Sequence, residues 1–207
     1  MLRDNDVSDC VVGVWTGGLV SDVHLVGNRV WSCTTAALQI ECLLQGSSNL
    51  LVANNSLQNN GSCIQIQELG AAAERIAIRN NLLLAGQGLD LVFLGKDRQS
   101  LAAWQLDHNW REVRPPGEKT PEAKTWVPPG PQDVRKEQIV GVARDPADAR
   151  NFLRPAKGSL LATAGAGGDL PTYVGAVPPQ GVERWDWDKT WNARTSKSSE
   201  ASKTGND

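Results

Sequence analysis

An asparagine returns along the first half of this chain inside one recurring phrase: apolar, any, apolar, two residues, Asn, any, apolar. The phrase reads Val23-His24-Leu25-Val26-Gly27-Asn28-Arg29-Val30, then Leu50-Leu51-Val52-Ala53-Asn54-Asn55-Ser56-Leu57, then Ile76-Ala77-Ile78-Arg79-Asn80-Asn81-Leu82-Leu83. A fourth copy is Trp104-Gln105-Leu106-Asp107-His108-Asn109-Trp110, and Leu2, Asn5 and Val7 form a partial first one. The asparagines Asn5, Asn28, Asn55, Asn81 and Asn109 are therefore 23, 27, 26 and 28 residues apart. A second column of apolar pairs, Val12/Val14, Leu38/Ile40, Ile64/Ile66 and Leu89/Leu91, keeps spacings of 26, 26 and 25. Two columns holding one period identify a repeat architecture.

Apolar residues two apart mark short strands with one buried face. Three such pieces per repeat, with no helical stretch between them, make one coil of a solenoid. Each coil buries its inward side chains on its neighbours and is not stable alone. A leucine-rich repeat shares the period but needs denser leucines than Leu50–Leu57 supplies. Asparagine suits a corner between strands because it tolerates the left-handed backbone. Stacked at the strand spacing of ~4.8 Å, its amide can bond the identical amide of the next coil. The asparagines are thus expected to be structural. The expected fold class is all-β, a right-handed parallel β-helix of about four to five coils with an irregular C-terminal extension.

The repeat over residues 1–112 resembles the right-handed parallel β-helix superfamily, which includes pectate lyases and related polysaccharide-acting proteins. Farther on, Asn151-Phe152-Leu153-Arg154-Pro155-Ala156-Lys157-Gly158-Ser159 is similar to a segment that closes many bacterial surface β-helices. There a phrase like D-F-R-L-x-P-G-S-P precedes a G-A strand, which Tyr173–Val177 would supply. Leu160 stands where that phrase usually has proline. The resemblance implies a polysaccharide partner and an extracellular or cell-surface location for the parent protein.

The remaining chain divides by composition. Residues 113–137 hold six prolines, Pro115, Pro116, Pro121, Pro128, Pro129 and Pro131, and read as an extended connection. Residues 138–194 read as an extension packing on the solenoid, with a strand expected at Gln138–Val142. The tryptophans of Trp185–Trp191 are expected to pin it there or, alternatively, to form a sugar-stacking platform. From Thr195 to Asp207, Ser, Lys, Thr, Gly and Asp predict a disordered tail. The repeat is already under way at Leu2 and Asn5, with no signal peptide ahead of it. That predicts a longer polypeptide whose upstream coils precede this stretch.

Lys and Arg number 21 against 23 Asp and Glu, a net charge of −2 with no basic cluster, which argues against nucleic-acid binding. No apolar run approaches the ~18 residues of a membrane span. Cys10, Cys33, Cys42 and Cys63 lie 23, 9 and 21 residues apart and fit no zinc pattern, and His24 and His108 are the two histidines. The cysteines read as small buried apolar residues. No metal and no cofactor are expected.

If Val12, Leu38, Ile64 and Leu89 face inward, then Gly13, Gln39, Gln65 and Asp90 form an outward column, with Trp15, Glu41, Gln67 and Val92 as the next. In the polysaccharide-acting relatives the ligand lies along such a face, so the candidate substrate-binding residues are Trp15, Gln39, Glu41, Gln65, Gln67 and Asp90. An ordinary solvated sheet face is the plain alternative. A glycosidase needs two carboxylates roughly 5–5.5 or 6.5–9.5 Å apart. Two coil rises and a lateral step put Glu41 and Asp90 at roughly 10 Å. Neither column holds the Lys or Arg that a lyase would use against a uronate. No catalytic residue is therefore assigned. The expected function is a non-catalytic or inactive polysaccharide-associated module of a larger bacterial surface or secreted protein. The alternatives are the C-terminal part of a polysaccharide lyase, hydrolase or epimerase, and a structural or interaction domain of a multidomain signalling protein.

Overall fold

The computed structural model describes residues 1–43, 47–68, 75–84, 88–95, 98–112 and 124–201. Three parallel sheets stack into a β-solenoid of about four turns. Sheet A orders β1 (Leu2–Arg3), β4 (Ser21–Val26), β7 (Ser48–Ala53), β10 (Ala77–Arg79) and β13 (Gln105–Asp107). Sheet B orders β2 (Asp6–Ser8), β5 (Arg29–Trp31), β8 (Ser56–Gln58), β11 (Leu82–Leu84), β14 (Trp110–Glu112) and β15 (Val134–Lys136). Sheet C orders β3 (Val12–Gly17), β6 (Ala36–Leu43), β9 (Ser62–Glu68) and β12 (Leu89–Phe93). Each of the first four coils contributes one strand to each sheet. The main core lies inside the coils, with Leu25, Leu50, Val52, Ile78, Val30, Leu57, Leu83, Leu38, Ile40, Ile64, Ile66 and Phe93 buried together.

The asparagine ladder is formed as the repeat predicts, at the corner between sheets A and B. The Nδ2 amide of Asn5 donates to Asn28 Oδ1 at 2.9 Å, Asn28 to Asn55 at 3.0 Å, Asn55 to Asn81 at 3.0 Å and Asn81 to Asn109 at 2.9 Å. From Asn28 on, each rung accepts the backbone N–H of the preceding rung as well. From Asn28 on, the amide also donates to a strand carbonyl: Leu2 for Asn28, Leu25 for Asn55, Val52 for Asn81 and Ile78 for Asn109. A buried amide satisfied this fully fixes the corner in every coil. The left-handed backbone, however, belongs to the residue before each rung. Asp4, Gly27, Asn54, Asn80 and His108 have φ of 58°, 68°, 50°, 57° and 57°. Asp, Asn and Gly carry that conformation most easily.

At the last rung the ladder ends on an acid. Asp133 Oδ1 accepts the Asn109 backbone N–H at 2.8 Å and its amide at 2.9 Å, and Oδ2 accepts Gly130 N–H at 2.9 Å. An aspartate has no donor to pass on, so it closes the chain of hydrogen bonds.

The extension doubles back along the stack from the last coil to the first. Phe152, Leu153, Leu161 and Val174 pack on the outward side of sheet B, against Leu82, Leu84 and Trp110. Neither Gln138–Val142 nor Tyr173–Val177 forms a strand. Their backbone is used otherwise. Asn54 Nδ2 donates to the carbonyls of Tyr173 and Gly175, Asn80 Nδ2 donates to Pro171 O, and Gly175 N–H donates to Asn80 O. The corner asparagines outside the ladder thus hold the extension.

The chain then enters α1 (Trp187–Ala201), with Asp186 accepting the Asp188 N–H at its start. The helix runs beyond Thr195, where composition predicted a disordered tail. Residues 202–207 of that tail, and 113–123 of the proline-rich connection, lie outside the described residues. Trp187 is buried against Val26, Leu51, Ala53 and Ala77 on the outward side of sheet A. Its indole donates to Asp4 Oδ1 at 3.2 Å. Gly27 stands at this corner because a Cβ there would come within 2.6 Å of Asp4 Oδ1 and 2.9 Å of the Trp187 indole nitrogen. Arg184 bonds Asp4 at 3.0 Å and Arg3 bonds Asp188 at 2.7 Å, tying the helix to the first coil. Among the described residues, no helix is long and apolar enough to cross a membrane.

His24 faces outward from sheet A, yet α1 buries it completely. It meets the Trp191 ring edge-on at 4.7 Å, and neither ring nitrogen has a hydrogen-bond partner among the described residues. Burial lowers its pKa to about 4, helped by Arg194 and the N-terminal amine and opposed by Asp22 and Asp169. The unfolded imidazole protonates near its ordinary value of 6.5, so the unfolded chain takes up this proton first as pH falls. The stability linked to His24 is fully present above about 6.5 and is lost between there and about 4, amounting to about 3 kcal/mol. Urea unfolding at pH 7.5 and pH 4.5 should show that loss, and His24→Phe should remove about this much of the pH dependence. An unchanged pH profile in the variant would exclude His24 as its source.

Candidate functional site

The candidate face is the outward side of sheet C. Its register places Trp15 beside Gln39, Gln39 beside Gln65, and Gln65 beside Val92. Trp15 is 64% exposed, Gln65 and Gln67 are half-buried, and the Gln39 amide donates to Glu41. Gly17 is the neighbour of Glu41 in the first coil. The register between β6 and β9 shifts after Ile40, so Leu43 meets Glu68. Four of the sequence-derived residues, Trp15, Gln39, Glu41 and Gln65, therefore share one continuous strip, with Gln67 just beyond it on β9.

Two assignments change. The outward row is Trp15, Gln39, Gln65 and Val92, whereas sequence spacing put Gly13 and Asp90 at its ends. The inward pair of the fourth coil is Leu91 and Phe93, in register with Ile64 and Ile66. A slip of two residues preserves the inward–outward alternation, so periodicity cannot detect it. Gly13, Ala37, Cys63 and Asp90 instead share a column at the beginning of each strand. Ala37 and Cys63 there lie in the core together with their neighbours Leu38 and Ile64. A Cβ on Gly13 would meet Val30 at 2.3 Å and the Cys33 sulfur at 3.3 Å, so this position too looks inward. Strand alternation begins only after that point.

Asp90 is accordingly removed from the binding face. It is fully buried and forms an ion pair with Arg111, itself 1% exposed. Arg111 occupies the inward column of sheet B, where the preceding coils carry Val7, Val30, Leu57 and Leu83. Its guanidinium also donates to Val127 O at 2.6 Å and reaches Asp133 at 3.4 Å. The Trp126 indole donates to the other Asp90 oxygen at 2.9 Å, and the Arg111 guanidinium lies 5.8 Å from the Trp126 ring. This network ends the apolar core at the last coil and ties it to the asparagine ladder through Asp133. An arginine interrupting an otherwise aliphatic inward column was the sequence signal for it.

Glu41 is thereby left without the partner carboxylate that spacing offered it. The Cys10 and Cys33 thiols stack 3.5 Å apart in successive coils, and Cys63 is buried in the core. Among the described residues, no three His, Cys, Asp or Glu side chains gather as a metal site would require.

The three sheets differ in what covers them. Core clusters shared with the extension bury the outward sides of sheets A and B. On sheet C, the described contact is with Thr125–Val127 beside β12, where Val92 bridges Trp126. The strip from Trp15 to Gln65 has no hydrogen bond to the extension among the described residues. In comparison with known proteins, the chain matches no family model, no curated protein and no solved structure.

Proposed function

We propose that the chain is a non-catalytic, polysaccharide-associated β-helix module that binds glycan along the outward face of sheet C. The observation that carries this reading is the row of Trp15, Gln39 and Gln65 on the sheet whose outward side, among the described residues, joins no core cluster with the extension. An exposed indole offers an apolar ring face with a polar edge, suited to stacking on a sugar ring. Successive carboxamides, one strand spacing of ~4.8 Å apart, offer donors and acceptors to its hydroxyls. The repeat's resemblance to pectate-lyase-like proteins supports the ligand class and a place in a larger surface or secreted protein. Burial of Asp90 in an ion pair supports the non-catalytic part, because hydrolysis of a glycosidic bond by the usual route needs two carboxylates flanking it.

Glycan-array binding followed by affinity electrophoresis tests this. The wild-type chain should retain one or more polymers, and the Trp15→Ala/Gln65→Ala double variant should lose at least about tenfold in affinity. Binding unchanged in the double variant would refute the assigned face. Cleavage of pectin, alginate or a related polymer that Glu41→Gln abolishes would refute the non-catalytic reading.

A further inference from the structure

Sheet A changes chemical character along the stack. Its two outward columns run His24, Leu51, Ala77, Gln105 and Val26, Ala53, Arg79, Asp107. The apolar members lie beneath the extension and α1. At the last strands the columns turn polar, and a cleft of about 570 Å³ opens between the solenoid and the helix. That volume is within the range of small-ligand sites. Asn49, Arg75, Arg79, Gln105, Asp169 and Arg194 line it.

Three guanidiniums converge there from separate elements: a corner, strand β10 and helix α1. Arg79 is held by Asp107, Nε to Oδ1, at 2.6 Å. Arg194 reaches Asp169 only at 3.4 Å, and its buried Nε has no partner among the described residues. Burial lowers the Arg194 pKa, Asp169 opposes that, and Arg79 and Arg75 lower it further. The cations are therefore close enough to repel one another. Arg75 is exposed and makes no ion pair among the described residues. It stands at φ 54°, in the sequence of corners where earlier coils place Asp22 at 51° and Asn49 at 53°. Asp and Asn favour that left-handed backbone and arginine does not. A cation is thus kept at a conformationally unfavourable corner, beside two others, facing a cavity.

We infer that this cleft binds an oxyanion, a ligand bearing a carboxylate, sulfate or phosphate group, between Arg75 and Arg194, with Arg79 held in place by Asp107. Guanidinium forks match such groups in geometry and charge. Asn49 and Gln105 supply neutral hydrogen-bonding groups for the rest of the ligand. The site lies on sheet A and stands independently of the sheet C face.

The test titrates the full chain with inorganic phosphate, inorganic sulfate and a galacturonate disaccharide, followed by calorimetry and by amide chemical shifts. Saturable binding of at least one is expected, weakened roughly tenfold by Arg75→Ala and by salt, and unaffected by Trp15→Ala. Binding of the inorganic ions assigns a free oxyanion, and binding of the disaccharide alone assigns a saccharide-borne carboxylate. Arg75 is exposed and has no ion pair among the described residues, so its variant should melt close to the wild type, and Arg194→Gln provides a second cation for the same comparison. No saturable binding of any of the three, or binding indifferent to both arginine substitutions, would overturn the inference.

Discussion

Arg111→Leu should lower the unfolding free energy by about 3–5 kcal/mol, because it strands two carboxylates in the core. Asp90 is fully buried and the Asp133 side chain is 1% exposed, so neither can recover its hydration. Asp90 would keep the Trp126 indole, and Asp133 would keep Asn109 and Gly130. Neither would keep a cation. For a chain of this length the corresponding fall in melting temperature is roughly 10 °C. The informative comparison is the double variant Arg111→Leu/Asp90→Ala, which restores the residue types of earlier coils, Leu83 and Ala37, at both positions. Removing the charge together with its partner should recover a substantial part of the loss, since an apolar replacement of a buried pair is often nearly neutral. Urea denaturation of the two variants beside the wild type decides it. A double variant no more stable than the single one would mean that the network acts through packing and not through charge.

Ile66→Asp should be at least as damaging. Ile66 is 1% exposed and stacks between Ile40 and Phe93 inside the solenoid, with no cation in its row. A carboxylate there is an uncompensated buried charge, and a loss above about 4 kcal/mol is expected. Domains are stable by only about 5–15 kcal/mol, so this variant should lose its cooperative melt or accumulate as aggregate. The neighbouring Gln65 points to the opposite side of the same strand. Gln65→Asp should therefore change stability by no more than about 1 kcal/mol. Circular dichroism melts of the pair read the orientation of β9 directly. Equal melting of the two variants would contradict it.

The solenoid was legible in the sequence because its physics is periodic. A ladder rung must meet an identical rung in each coil, so Asn5, Asn28, Asn55, Asn81 and Asn109 recur at the length of a coil, and the inward aliphatic residues recur with them. The same periodicity placed Trp15, Gln39, Glu41 and Gln65 on one face. It could not place Asp90, because a two-residue slip leaves the alternation intact and the second residue of each sheet C strand turns inward before alternation begins. Nor could it show that the left-handed residue is Asn54 or Asn80 and not the ladder asparagine beside it, since both types suit a corner.

What only the tertiary structure decided is non-local. The return of the extension over sheets A and B brings Trp187 to Asp4, Tyr173 to Asn54 and Arg194 toward Arg75, partners separated by 183, 119 and 119 residues. Such contacts leave no period in the sequence. They depend on which outward faces are apolar enough to be worth burying, a sum over several coils that no single repeat contains. The apolar outward columns of sheets A and B took the cover, whereas the amide-lined strip of sheet C from Trp15 to Gln65, with little apolar surface to bury, makes no hydrogen bond to the extension among the described residues.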